Sequence, residues 1–262
     1  MMNAIQRMAL ILVLILTPGP LQAARTIIDA AGRQVDIPDS VDRVICSGPG
    51  CLRLLTYLQA EDMIVAVDDI ETRRRSFDAR PYALANPEFK SMPIFGEFRG
   101  HDNPELIVSL DPQPQVIFKT YPTMGHDPEE LQAKTAIPVI VLNYGNLDEL
   151  RPELEHSLRI MGQVVGRSER ASEVIDFFNS AIADLNRRTR DLAPEDRPSV
   201  FLGGVAFKGP HGYRSTEPGY PPFEFVNANN VARVTGPGGT IPRQADVAKE
   251  QIVAWDPDVL FV

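Results

Sequence analysis

A chain of 262 residues with 44% hydrophobic and 23% charged residues can bury a core, and its length allows one large or two modest domains. Its formal charge of −9 argues against nucleic acid as a partner, because an acidic surface repels a polyanion. The 23 prolines and 18 glycines fall at the ends of apolar runs, so no low-complexity tract interrupts the chain.

Residues 1–24 read as a secretory signal. Arg7 is their only charge, 8–16 is an unbroken apolar run, Pro18 and Pro20 break it, and Leu21-Gln22-Ala23-Ala24 offers a small-residue cleavage site. The run is too short to span a bilayer, and no later stretch is longer, so the mature chain is expected to be exported and soluble. Thr26 to Pro38 then gives two short strands about an Ala-Gly turn. From there strands alternate with helices: strand 44–47, helix 52–59, strand 64–67, helix 104–110, strand 116–118, helix 128–136, strand 139–142 and helix 147–165. Apolar strands in this order predict a mostly parallel sheet covered on both faces. Cys46 and Cys51 bracket Ser47-Gly48-Pro49-Gly50, either as a disulfide across the turn or as two buried small side chains.

The longest element is predicted over 166–192. Ala171, Val174, Ile175, Phe178, Ala181, Ile182 and Leu185 recur at three- and four-residue steps, the signature of one buried helical face. Pro194 and Pro198 stop it. About 25 residues at 1.5 Å each make a rod of roughly 38 Å, the width of a domain.

A repeat flanks this rod. Glu105-Leu-Ile-Val-Ser-Leu-Asp111-Pro112 and Glu250-Gln-Ile-Val-Ala-Trp-Asp256-Pro257 each place a glutamate six residues before Asp-Pro, with an apolar run following. Each copy reads as a short helix, stopped by proline, then a buried strand. Two similar lobes with a cleft between them are expected: 25–165 as the first, 166–193 as the linking helix and 194–262 as the second. Against the first lobe the second stops early, so it is expected to be incomplete.

The motifs, taken in order, resemble the periplasmic substrate-binding proteins of ABC importers for iron-siderophore, haem and cobalamin. The matching pieces are Asp29-Ala-Ala-Gly32-Arg33-Gln-Val35 with Pro38, Arg43-Val44, and Gly96 with Asn103-Pro104-Glu105 through Pro112. Gly162-Gln-Val-Val-Gly166, Arg170-Ala171 and Glu250 through Pro257 continue the match. The resemblance implies an α/β fold of two Rossmann-like lobes joined by one long helix, with the solute in the cleft. It implies no catalysis and no cofactor, a periplasmic location, and a permease dimer in the inner membrane as partner. It also implies that Glu105 and Glu250 dock onto that permease, one from each lobe. Capping of the helix dipole is the simpler role for both.

Ligands of open α/β sheets bind beyond the carboxyl ends of the strands. That rule selects the loops 47–50, 68–75, 119–126, 144–146 and 205–215. Lys119, Tyr121, Lys208, His211, Tyr213 and Arg214 are the first candidates to line a cleft, with Phe98, Arg99 and Arg243 behind them. Arginine forks and tyrosines suit a bulky anionic chelate, with a ferric siderophore as the leading solute. Haem, cobalamin or a bare transition metal remain as alternatives, as does a binding domain serving a sensor or a non-transporting paralogue. His101, His126, His156 and His211 show no converging metal-ligand spacing, so no metal site in the protein itself is expected. Neither a dinucleotide fingerprint, a P-loop nor a Gly-x-Ser-x-Gly elbow occurs. Nothing in the chain calls for more than a monomer.

Overall fold

The computed structural model describes residues 24–73, 78, 80–206, 211–233 and 239–262. The proposed signal therefore lies outside the described residues, apart from Ala24, and so does Lys208. Strands β1 (Ala24–Ile28) and β2 (Gln34–Pro38) pair antiparallel, burying Ile27, Val35 and Ile37 against the core. Asp29 explains the Asp-Ala-Ala-Gly-Arg motif. Its Oδ1 accepts from the Ala31 and Arg33 amides, both at 3.0 Å, and its Oδ2 accepts from Arg33 Nη2 at 2.7 Å and the Val141 amide at 3.1 Å. One buried carboxylate thus closes the hairpin and clamps it to the main sheet.

Next come β3 (Val44–Ser47), α1 (Cys51–Tyr57), β4 (Ile64–Asp68), α2 (Asp69–Arg73) and α3 (Pro81–Ala85). They are followed by β5 (Ile94–Glu97), β6 (His101–Asp102), α4 (Pro104–Ser109), β7 (Val116–Thr120), α5 (Pro128–Thr135), β8 (Val139–Leu142) and α6 (Arg151–Val164). The sheet order is β6-β5-β4-β3-β7-β8, parallel except where β6 returns antiparallel to β5. Helices cover both faces, so Ile45, Ile117, Phe118 and Val139 to Leu142 are all buried. α6 begins later than the apolar pattern predicts because Asn146 Oδ1 accepts from the Asp148 and Leu150 amides, both at 2.9 Å, and holds a turn there first. Both cysteines are buried and free. Burial pushes the Cys46 thiol up, and Cys51 Sγ donates to the Phe118 carbonyl at 3.7 Å.

Helix α7 (Ser168–Thr189) is the predicted rod, 22 residues and about 33 Å long. Its apolar face is buried only in the first half. Ala171, Val174 and Ile175 join the main core and Phe178 packs against it, whereas Leu185 is exposed. At the far end, Asn227 on the second lobe donates to Thr189 Oγ1 at 3.0 Å. α7 is thus part of the first lobe at one end and touches the second at the other.

Beyond it lie β9 (Ser199–Leu202), β10 (Ser215–Thr216), α8 (Pro221–Phe225), β11 (Asn229–Asn230), β12 (Ala245–Asp246), α9 (Lys249–Trp255) and β13 (Val259–Phe261). β9 runs parallel between β11 and β13 over a small core of Phe201, Ala232 and Ile252. β13 is an edge strand whose three residues are all exposed. Among the described residues no helix is long and apolar enough to cross a membrane.

Candidate functional site

A cleft of about 790 Å³ opens between the lobes. The first lobe gives it the chain just after β7 (Tyr121, Pro122, Thr123), the chain just after β8 (Asn143 to Asn146), and the start of α6. These are carboxyl ends of parallel strands, where the backbone leaves the sheet and side chains are free to meet a ligand. The second lobe contributes Glu217, Gly219, Pro221, Glu224, Arg233 and 241–243.

Two tyrosines form an aromatic corner in the first-lobe wall. Tyr121 turns off β7 at φ 52°, a left-handed conformation that a bulky residue rarely adopts, and its ring centroid lies 5.8 Å from that of Tyr144. The Arg53 guanidinium stacks 4.9 Å from the Tyr144 centroid and 5.9 Å from that of Tyr57. Arg53 Nε is buried and without a hydrogen-bond partner among the described residues. Gly50, at φ 76°, makes room for the corner: a Cβ there would fall 2.0 Å from Tyr144 Cε2.

Acidic groups predominate around the rest. Asp148, Glu149, Glu153, Glu217 and Glu224 line the cleft against Arg233 and Arg243. Glu224 is already paired with Arg233. Burial raises the Glu217 carboxyl above its ordinary value, and Arg243 acts to lower it. The described lining therefore carries more carboxylates than guanidinium groups.

The sequence candidates are dispersed by the fold. Tyr121 and Arg243 line the cleft together. Lys119 does not: it is fully buried, with Nζ 2.6 Å from Asp102 Oδ2 and 3.3 Å from both Ser47 Oγ and the Gly100 carbonyl. Two residues apart, Lys119 and Tyr121 would share a face if β7 ran on, but β7 ends at Thr120 and Tyr121 turns off it at φ 52°, so position 119 stays inside the sheet beneath the 98–102 turn. Phe98 is half-buried in the wall of a smaller cavity, and Arg99 is exposed with its guanidinium 5.7 Å from the Phe98 centroid. His211, Tyr213 and Arg214 are exposed on the second lobe outside the cleft lining. Glu105 and Glu250 are exposed in the first turns of α4 and α9. Among the described residues no cluster of His, Cys, Asp and Glu could hold a metal ion. Sequence reasoning missed Arg53, Tyr144 and Glu217. Only the loop 144–146 at the end of β8 pointed to one of them.

Two α/β lobes, one long helix and a cleft between the lobes define a two-lobe solute-binding protein. The chain belongs to the periplasmic binding protein family, whose match spans residues 44–262. It is 23% identical over 263 residues to the molybdate-binding protein MolA of Haemophilus influenzae, covering 92% of this chain and 69% of that one. The structure of MolA bound to molybdate superposes with a TM-score of 0.65 at 21% identity, over 90% of this chain and 73% of the other. A periplasmic solute-binding protein from Veillonella parvula DSM 2008 reaches a TM-score of 0.70 at 16% identity, over 91% and 68%. The TroA-like periplasmic binding protein FepB from Veillonella parvula gives 0.66 at 20% identity, over 90% and 68%. Proteins of this family are periplasmic solute-binding components of ABC transporters that deliver small ligands to permeases; they are not enzymes.

Proposed function

We propose that this chain captures a metal chelate, a ferric siderophore of neutral or positive charge, and hands it to an inner-membrane permease dimer. The cleft carries this reading. Its volume of about 790 Å³ suits a drug-sized ligand rather than a single ion. Its aromatic corner supplies flat apolar contact, and its carboxylates favour a ligand without net negative charge. The chain would reach the periplasm through the signal at 1–24 and act there as a monomer.

Titration with a ferric trihydroxamate, a ferric tris-catecholate, haem, cobalamin, molybdate and Zn²⁺ tests the reading. The cationic or neutral trihydroxamate is expected to bind and the anionic tris-catecholate to bind far more weakly. Tyr144→Ala, which removes the ring facing both Tyr121 and Arg53, is expected to weaken that binding by about 30-fold, the loss of one well-packed aromatic anchor of about 2 kcal/mol. Binding of molybdate with no response to any chelate would overturn the reading.

That outcome would establish a second reading, an oxyanion receptor. Two observations favour it: the 23% identity to a molybdate-binding protein, and the Arg53 guanidinium, which has no carboxylate partner among the described residues. In that case Arg53→Met, rather than Tyr144→Ala, would abolish binding.

A further inference from the structure

Apart from the main cleft, the first lobe encloses a cavity of about 20 Å³ at the carboxyl end of β4. Asp68, Glu71, Tyr82, Cys46 and Phe98 contribute to its wall. So does Gly50, the glycine that packs against Tyr144 of the aromatic corner. Such a volume holds one water.

The hydrogen bonding around this cavity is incomplete. The Glu71 side chain is 3% exposed, and its Oε1 accepts from Arg80 Nη1 at 2.7 Å and from the Tyr82 hydroxyl at 2.8 Å. Its Oε2 is buried with no partner among the described residues. Arg80 has little left to give, because Nε and Nη2 grip Asp78 at 2.8 and 2.6 Å. That grip holds the Asp78 carboxyl down to about 2. Asp68 is buried too, and the hydrogen bond it accepts comes from the Ile70 amide at 3.2 Å.

The other charges nearby do not make up the deficit. Asp69 pairs with Arg73 and accepts from the Phe98 amide at 2.9 Å. Lys90, on the short helical turn after α3, acts on Asp78. From β3 the neighbouring group is Cys46, a buried thiol pushed up and so left neutral, and from α3 it is the Tyr82 hydroxyl, also raised by burial. Two buried carboxylates therefore share one cavity and a fraction of one guanidinium. Leaving both ionised would strand a buried charge.

We propose that Asp68 and Glu71 form a proton-binding site, holding one proton between them, with the water of this cavity bridging the two carboxyls and giving Glu71 Oε2 its donor. The electrostatics agree. Burial, reinforced by Glu71 and Asp69 against the Ile70 amide and Arg80, pushes Asp68 up to about 7, and burial raises Glu71 as well. An unfolded aspartate loses its proton near pH ~3.9. This pair thus binds more protons in the folded chain than in the unfolded one up to about neutrality. The stabilisation is complete below pH ~4 and is lost as pH rises through about 7.

The test uses the whole chain without solute, labelled with ¹³C at aspartate and glutamate carboxyls and followed by NMR across pH. One carboxyl carbon is expected to titrate near neutrality and to vanish from the spectrum of Asp68→Asn. In urea unfolding, the wild type should lose stability with rising pH through neutrality, and Asp68→Asn should flatten that slope. An Asp68 midpoint near pH ~4 would overturn the proposal. So would a pH profile that shifts when Na⁺ is replaced by choline, which would assign the cavity to a cation. Glu71→Gln gives an independent check should Asp68→Asn not fold. Removing the partner carboxylate should lower the Asp68 midpoint by about one pH unit or more, and an unmoved midpoint refutes the sharing.

Discussion

Lys119→Met is expected to destabilise the first lobe by about 3–5 kcal/mol, the cost of leaving a buried carboxylate without its cation. Asp102 would have no alternative partner: its side chain is fully buried, and its Oδ1 already lacks a hydrogen bond among the described residues. The loss would also free Ser47 Oγ and the Gly100 carbonyl, both 3.3 Å from Nζ, and so loosen the tie between β3, β7 and the 98–102 turn. Methionine keeps most of the volume, so the penalty is electrostatic rather than a cavity. Urea unfolding should show a lower midpoint at unchanged slope. The double variant Lys119→Met with Asp102→Leu should recover much of the loss, because two apolar groups carry no desolvation debt. A single variant within about 1 kcal/mol of wild type, no more than a surface substitution costs, would mean that the pair is open to water.

The second large effect concerns delivery. Glu105→Gln with Glu250→Gln is expected to leave solute affinity unchanged and to lower uptake more than about tenfold, a loss of over 1.4 kcal/mol at the docking step. The two residues occupy equivalent places in the repeat, both exposed in the first turns of α4 and α9. Three residues on, Val108 and Val253 are equivalent as well and are 40% and 78% exposed, while Ile107 and Ile252 beside them are buried. Each lobe thus presents a carboxylate and a bare valine from the same helix face, as a two-fold permease with matching halves would require. Charges at such a rim act on encounter rate and register. The measurement is uptake of a radiolabelled solute by cells that depend on this chain, alongside binding to the purified chain. Normal uptake by the double variant would reduce both glutamates to complements of the helix dipole, worth about 0.3–1 kcal/mol each.

Much of the architecture could be read from local pattern. The rod at Ser168–Thr189 is periodic at 3.6 residues, and the repeat located α4, α9, β7 and β13, because helix, proline and apolar strand each leave a mark on neighbouring residues; β7 is buried as expected, whereas β13 lies exposed at the sheet edge. The Asp29–Arg33 motif was also legible, since its hydrogen bonds close within five residues before reaching Val141. By contrast, α2, α3, β5 and β6 went unread: they are two to five residues long, too short for a period to show.

The sequence by itself therefore determined the class of fold, the two-lobe plan and the family, all of which rest on short-range periodicity and ordered motifs. Only the tertiary structure decided which side chains meet. Lys119 and Tyr121 are two apart on one strand end, yet one is sealed against Asp102 and the other faces the cleft, and no local pattern distinguishes them. The aromatic corner joins positions 53, 121 and 144, and the acidic wall joins 148–153 to 217 and 224. The pairing of charges and the burial that shifts them depend on distances across separate loops. Composition counts those groups but does not place them.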